Sequence, residues 1–210
     1  MIDYIVTGTA RSGTGFMSHL LSNNGIECYH EGIFGVKNHT LEEYLTGIEE
    51  SPTVADSSWL VAPFINDIQT IYPHIKIIHV VRNPLKVIRS FLELGFFRVT
   101  YKEYKPYQDI INEYINNYSE VEACIDYILE WYSFLENVNK VVVNIDNIDY
   151  NKLSEFTGTH FEELEEIVNQ KTSAKIQFFS DFQVIKLVKR SPRYGDINRL
   201  IEKYGFNNEI

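Results

Sequence analysis

Apolar residues along this chain gather in short, dense runs. Between the runs they recur every three or four positions. The runs are "YIVTG" (4–8), "TVAD" (53–56), "IKIIHVV" (75–81) and "KVVVNI" (140–145), with "IECYH" (26–30) as a shorter fifth. Segments that are apolar at nearly every position fit strands buried on both faces, as in a parallel sheet. The stretches between them predict helices from Thr14 to about Asn23, after Leu41, over roughly 60–70, and after Pro84, where proline suits a first turn. A long aromatic pattern of helical period covers 109–136, and the last helices are expected over 150–157, 161–169 and 196–204.

Strands alternating with helices predict an α/β fold: three layers, α/β/α, around a central parallel sheet of about five strands. Ligands of such folds lie at the carboxyl ends of the strands, which directs attention to the residues after each run. The chain has 210 residues, no internal repeat and no low-complexity linker, so residues 1–210 read as one domain.

Composition changes this picture only at its edges. The chain is 44% apolar and 23% charged, with a formal net charge of −10. That balance excludes a general nucleic-acid binder, which needs a basic face, but not a small anion held by a few local cations. Cys28 and Cys124 are too far apart for a metal-ligand spacing or a disulfide framework, and are expected to be reduced thiols. The chain starts directly on a strand-like run, and no segment approaches ~20 consecutive apolar residues. A cytoplasmic protein without a membrane partner is expected, and the sequons at Asn38 and Asn117 read as accidental.

The first run is followed by "TGTARSGTGF" (7–16). Gly8 and Gly13 permit backbone conformations that let amide N–H groups converge on an anion. The helix after them adds its free N–H groups and positive dipole end. Arg11 contributes a permanent charge and a fork of donors, and Ser12 and Thr14 contribute hydroxyls. A phosphate or sulfate group matches this set; an ordinary strand-to-helix turn is the alternative. The Gly8-to-Gly13 spacing is that of a Walker A loop, but Thr14-Gly15 stands where Lys-Ser/Thr would be. The lysine for the outer phosphates and the hydroxyl for magnesium are both missing from their places. A second stretch, "IIHVVRNPLKVIRSF" (77–91), puts Arg82 at the end of a buried run and Ser90 eight residues later. Asn83-Pro84 marks the turn between them.

Together, "TARSGTGF" and "VVRNPLKVIRSF" resemble the two signature motifs of the PAPS-dependent sulfotransferases, PAPS being 3′-phosphoadenosine 5′-phosphosulfate. The resemblance implies a P-loop NTPase-like fold and transfer of a sulfuryl group from PAPS, without a metal, to a hydroxyl or amine of a carbohydrate or other small acceptor. It places Arg11, Ser12, Gly13, Thr14 and Gly15 on the 5′-phosphosulfate, and Arg82 and Ser90 on the 3′-phosphate. Arginine in the loop is a feature of carbohydrate and protein-tyrosine sulfotransferases, whereas many cytosolic relatives carry lysine. Phe16 occupies a position where some relatives stack an aromatic ring on adenine; a core aromatic is the alternative.

Sulfuryl transfer requires removal of the acceptor's proton. "CYHEGIF" (28–34) follows the first helix, where relatives with the arginine loop carry a catalytic glutamate; Glu31 is the first candidate base and His30 the second. Arg11 is then the group that stabilises charge on the departing phosphate. In "VADSSWLVAPF" (54–64) several relatives carry a cation, and here Asp56-Ser57-Ser58-Trp59 has none. Ser57 and Ser58 read either as donors to the sulfuryl or acceptor group or as a helix cap. Residues 95–118 are dense in Tyr and Phe, which suits an acceptor-binding lid as well as helix packing. Lys189-Arg190 and "PRYGD" (192–196) form a poor match to a basic 3′-phosphate motif. A nucleotide kinase and a non-catalytic nucleotide-binding module are the alternative functions.

Overall fold

The computed structural model describes residues 2–37, 39–98, 104–116, 119–162 and 179–206. The chain forms two compact units, residues 1–81 with 134–171, and residues 82–133 with 172–210.

The first unit holds a five-stranded sheet in which every pairing is parallel. Its strands are β1 (Tyr4–Gly8), β2 (Cys28–His30), β3 (Ala55–Ser57), β4 (Lys76–Val81) and β5 (Lys140–Asn144), in the order β2-β3-β1-β4-β5. All five apolar runs of the sequence are therefore strands. Alternation along each strand divides the core into two clusters. On one face Ile5 and Ile77 pack with Tyr44 and Ile48 of α2 (Leu41–Glu50), and with Ile65 and Ile68 of α3 (Ile65–Ile71). On the other, Val6, Ala55, Ile78 and Val141 pack with Met17, Leu20 and Leu21 of α1 (Thr14–Asn23) and Leu153 of α7 (Tyr150–Thr157). Helices thus cover both faces of the sheet, as the alternation of strands and helices requires. Cys28 and Cys124 are buried and unbridged.

The second unit is helical: α4 (Pro84–Leu94), α5 (Lys105–Ile111), α6 (Glu120–Phe134, whose last residue belongs to the first unit), α8 (Asp181–Val188) and α9 (Tyr194–Lys203). Arg89 of α4 is paired with Asp181 of α8. Arg193 donates to Asp126 of α6 at 2.6 Å and to Asp196 of α9 at 2.8 Å. The helix expected over 109–136 is two helices, α5 and α6. The break has a local cause: Ser119 Oγ accepts the Glu122 N–H at 3.2 Å and starts α6 afresh. Phe96 and Phe97 pack on Phe91 and Tyr127, Tyr104 lies against Phe96, and Tyr114 meets Trp131 edge-on. Many aromatics of the 95–118 stretch therefore line this unit's own core, while 99–103 and 117–118 lie outside the described residues. So do Asn38, Asn117 and the helix expected over 161–169 from residue 163 onward. Among the described residues no helix is long and apolar enough to cross a membrane.

β1 and β4 come close together at Gly8. Gly8 lies opposite Val80, and a Cβ at Gly8 would sit 2.2 Å from the Val80 carbonyl oxygen and 2.9 Å from Ser12 Oγ. Backbone cannot yield there without separating the two strands. Gly8→Ala is therefore expected to cost at least the ~1–3 kcal/mol typical of overpacking, read as a lower urea midpoint. An unchanged midpoint would contradict the close approach.

Candidate functional site

β1 ends at Gly8 and the chain turns at once. The Ser12 N–H donates to the Thr9 carbonyl at 3.1 Å, and Ser12 Oγ donates to the same oxygen at 2.6 Å. Ser12 is fully buried, so its hydroxyl proton holds the turn closed from within. Arg11 is exposed on the outside of the turn, in a left-handed conformation with φ of 69°. Gly13 has φ of 108°, which glycine adopts without steric cost, and caps α1 without any side-chain bond. The first helical bond runs from the Met17 N–H to the Gly13 carbonyl, at 3.0 Å. The amides of the opening turn of α1 have no carbonyl above them in the helix to donate to. They and the helix dipole make this end attractive to an anion.

The strands are parallel, so β2 and β3 end at the same edge of the sheet as β1. His30, the last residue of β2, brings Nε2 to 3.5 Å from Thr14 Oγ1. A Cβ on Gly15 would lie 3.4 Å from the same nitrogen. Desolvation by the protein around the ring, and then the nearby His19, hold the His30 pKa below its ordinary value. Both effects favour the uncharged imidazole.

Glu31 follows with φ of 56°, the second non-glycine residue in the left-handed region among those described. This bend departs from an extended segment and sends the two side chains to different places. The Glu31 N–H donates to the Ser57 carbonyl at 3.0 Å, and the Trp59 side chain hydrogen-bonds its carboxyl. Burial raises the Glu31 pKa and the Trp59 bond opposes the rise. His30 is thus the neighbour of the loop, while Glu31 lies beside Trp59 and within electrostatic reach of Asp56.

β3 serves both segments. Ser57 Oγ donates to the Thr14 carbonyl at 2.8 Å, tying the strand to the first turn of α1. Ser58 Oγ donates to the Phe34 carbonyl at 2.6 Å and accepts the Leu60 N–H at 3.1 Å. Both serine hydroxyls are therefore engaged by the protein's own backbone. Asp56 is fully buried and accepts the Ile33 N–H at 2.5 Å. Burial pushes its pKa up to about 7, against the backbone N–H groups of Ile33, Gly32 and Ser57, and the Glu31 charge adds to the rise. In the sequence this segment stands out for its lack of a cation and for Ser57 and Ser58, not for Asp56. The signal that marks Asp56 is an acid inside an otherwise apolar, strand-forming run.

Phe16 is partly buried and packs against the cluster that contains Val6 and Met17. Within the helical unit, Arg82 directly follows β4 in the chain and is half-buried. Its carbonyl accepts a long bond, 3.4 Å, from the Tyr132 hydroxyl. Asn83 caps α4 through the Leu85 N–H at 3.0 Å, with Pro84 in the first turn. Ser90 lies half-buried on α4, beside the Arg89 that Asp181 holds. Lys189 ends α8, and Arg193 of the "PRYGD" stretch is engaged by Asp126 and Asp196.

No curated protein matches the chain in sequence. Among solved structures it is similar to a sulfotransferase from Alicyclobacillus acidocaldarius, at 13% identity and a TM-score of 0.57, over 99% of this chain and 97% of that one. Mouse sulfotransferase SULT7A1 complexed with PAP aligns at 12% identity and a TM-score of 0.43, over 90% of this chain and 62% of that one. The first of these likenesses establishes a shared fold. The family model described as the sulfotransferase domain matches residues 1–194, so nearly the whole chain, including both motifs, belongs to the sulfotransferase family, whose reaction class is sulfuryl transfer.

Proposed function

We propose that the protein transfers the sulfuryl group of PAPS to a hydroxyl or amine of a carbohydrate or other small acceptor and releases PAP. The observation that carries this reading is the Arg11-bearing turn at the amino end of α1, with the His30-Glu31 segment beside it. The turn offers a guanidinium, backbone amides and the Thr14 hydroxyl, the donors that a 5′-phosphosulfate needs. Arg11, Ser12, Gly13, Thr14 and Gly15 are assigned to the 5′ end, Arg82 and Ser90 to the 3′-phosphate, and Phe16 to the adenine side.

In the transfer, a bond forms from the acceptor oxygen or nitrogen to sulfur as the bond from sulfur to the bridging oxygen breaks. The departing electron pair goes to the phosphate of PAP, where Arg11 stabilises it. The acceptor proton goes to Glu31, whose raised pKa makes it a stronger base than an ordinary carboxylate. In that arrangement His30 orients the Thr14 hydroxyl. One observation favours a second assignment with His30 as base: its lowered pKa favours the uncharged ring, which touches the loop.

Calorimetry with PAP in the presence of a chelator tests the nucleotide assignment. Binding is expected without metal; no heat with PAP alongside magnesium-dependent binding of ATP would overturn it. Arg82→Ala should weaken PAP by roughly 2–5 kcal/mol while leaving adenosine 5′-phosphosulfate, which has no 3′-phosphate, far less affected. Equal losses for the two nucleotides would remove Arg82 from the 3′ site.

Single-turnover transfer from labelled PAPS, with an acceptor found by screening sugars and phenols, tests the base. Glu31→Gln should slow transfer ~10²–10⁴-fold with PAP affinity nearly unchanged, and His30→Ala should do much less. The reverse pattern would make His30 the base.

A further inference from the structure

The turn that carries Glu31 is built around a buried carboxyl group. Asp56 lies in β3 opposite Tyr29 of β2 and Ile5 of β1, on the face of the sheet that Ile33, Phe34 and Tyr44 cover. Asp56 Oδ2 accepts the Ile33 N–H at 2.5 Å, the Gly32 and Ser57 amides lie close enough to oppose the rise in its pKa, and its Oδ1 is buried without a hydrogen-bond partner among the described residues. Consecutive amides of a tight turn form an anion-binding concavity, and here the chain's own aspartate fills it. The packing is close: a Cβ at Gly32 would lie 2.8 Å from Tyr29 Cβ and 3.1 Å from Asp56 Oδ2.

Glu31 sits at the entrance to this turn in a conformation that L-residues avoid. Such a bend persists only where its surroundings over-determine it. The Glu31 N–H on Ser57 fixes one side of it, and the Ile33 amide on Asp56 fixes the other. We propose that Asp56 is a positioning residue for the transfer reaction, holding the Ile33 amide at the end of the 31–33 turn and so keeping the Glu31 carboxyl where it takes the acceptor's proton. The inference rests on the assignment of Glu31 as base.

Its charge adds a second effect. The charged group that bears on the ionisation of Asp56 is Glu31 in the turn; Cys28 on β2 feels the Asp56 charge, and the strand residues paired with Asp56 are Tyr29 on β2 and apolar Ile5 on β1. The Cys28 thiol is pushed far up, first by burial and then by Asp56, and stays neutral. The Glu31 charge adds to the rise in the Asp56 pKa, so the two carboxyls lie within electrostatic reach of each other. Ionised Asp56 grips the Ile33 amide more tightly and makes Glu31 more basic. Both effects favour proton removal as pH rises through about 7, where Asp56 titrates.

The linkage also has a sign in stability. The Asp56 pKa is raised in the folded chain, from 3.8 to about 7, so its contribution is fully present below the unfolded value and is lost as pH rises through about 7. The melting temperature of the wild-type chain is expected to fall over that window relative to that of Asp56→Asn.

The test joins NMR to kinetics. In the wild-type chain, the amide proton shifts of Gly32 and Ile33 should follow the same midpoint as the Asp56 carboxyl carbon. In Asp56→Asn, PAP release from PAPS, with water or a sugar as acceptor, should slow about 10–100-fold at pH 8. PAP affinity should stay within about twofold, since Asp56 touches no part of the proposed nucleotide site, and the rise in rate near pH 7 should disappear. Amide shifts that ignore the Asp56 titration overturn the proposal even where the variant does not fold. So does a variant with wild-type rate and pH profile, or one that loses PAP binding in step with rate. Failure of the underlying assignment looks different: Glu31→Gln keeps full activity while Gly32 and Ile33 still titrate with Asp56.

Discussion

The contact of Gly8 with the Val80 carbonyl governs the edge of the sheet where the candidate site lies. β1 is flanked by β3 and β4, and at its last residue no atom can be added toward β4. The strand ends there, and the turn through Ser12 reverses it onto α1 within five residues, Thr9 to Gly13. A hydrogen bond from Ser57 then pins the start of that helix to β3. The turn is held by its own hydrogen bonds, the kind of preorganisation that lets backbone amides hold an anion at low cost.

β3 is only three residues long, yet it organises both halves of the site. Because its side chains alternate, Ser57 faces α1 and Asp56 faces the opposite layer. One residue holds the anion loop and its neighbour holds the turn of Glu31. Slipping the strand by one position would exchange their faces and leave a carboxylate against the loop assigned to the 5′-phosphosulfate.

Most of the sheet was legible because parallel strands buried on both faces leave an unmistakable apolar signal. The five runs became the five strands, and the helices after Thr14, Leu41, Pro84 and Tyr150 begin where proline, glycine or a capping residue predicts. The helical unit was read less well. Aromatic residues at helical spacing run through 109–136 without a pause, so periodicity hides the boundary; Ser119 with Glu122 three residues on is the capping signal that reveals it. α8 went unanticipated although Ser180 and Gln183 form a capping box at its start. In the site, residue types pointed to the loop and to the His30-Glu31 pair. They could not reveal that a left-handed residue turns Glu31 toward Trp59, nor that Asp56 holds the turn, because both depend on contacts between strands.

Arg11 and Glu31 are the two non-glycine residues with left-handed φ among those described, and both stand in the candidate site. Each carries a backbone penalty on the order of 1–2 kcal/mol that glycine would not. Selection for thermostability alone would replace them, and a consensus or stability-guided redesign of this scaffold would mark both as defects. Such a redesign would gain melting temperature by erasing the guanidinium and the carboxylate assigned to the reaction. In this fold, the positions where stability is cheapest to gain are the ones that function can least spare.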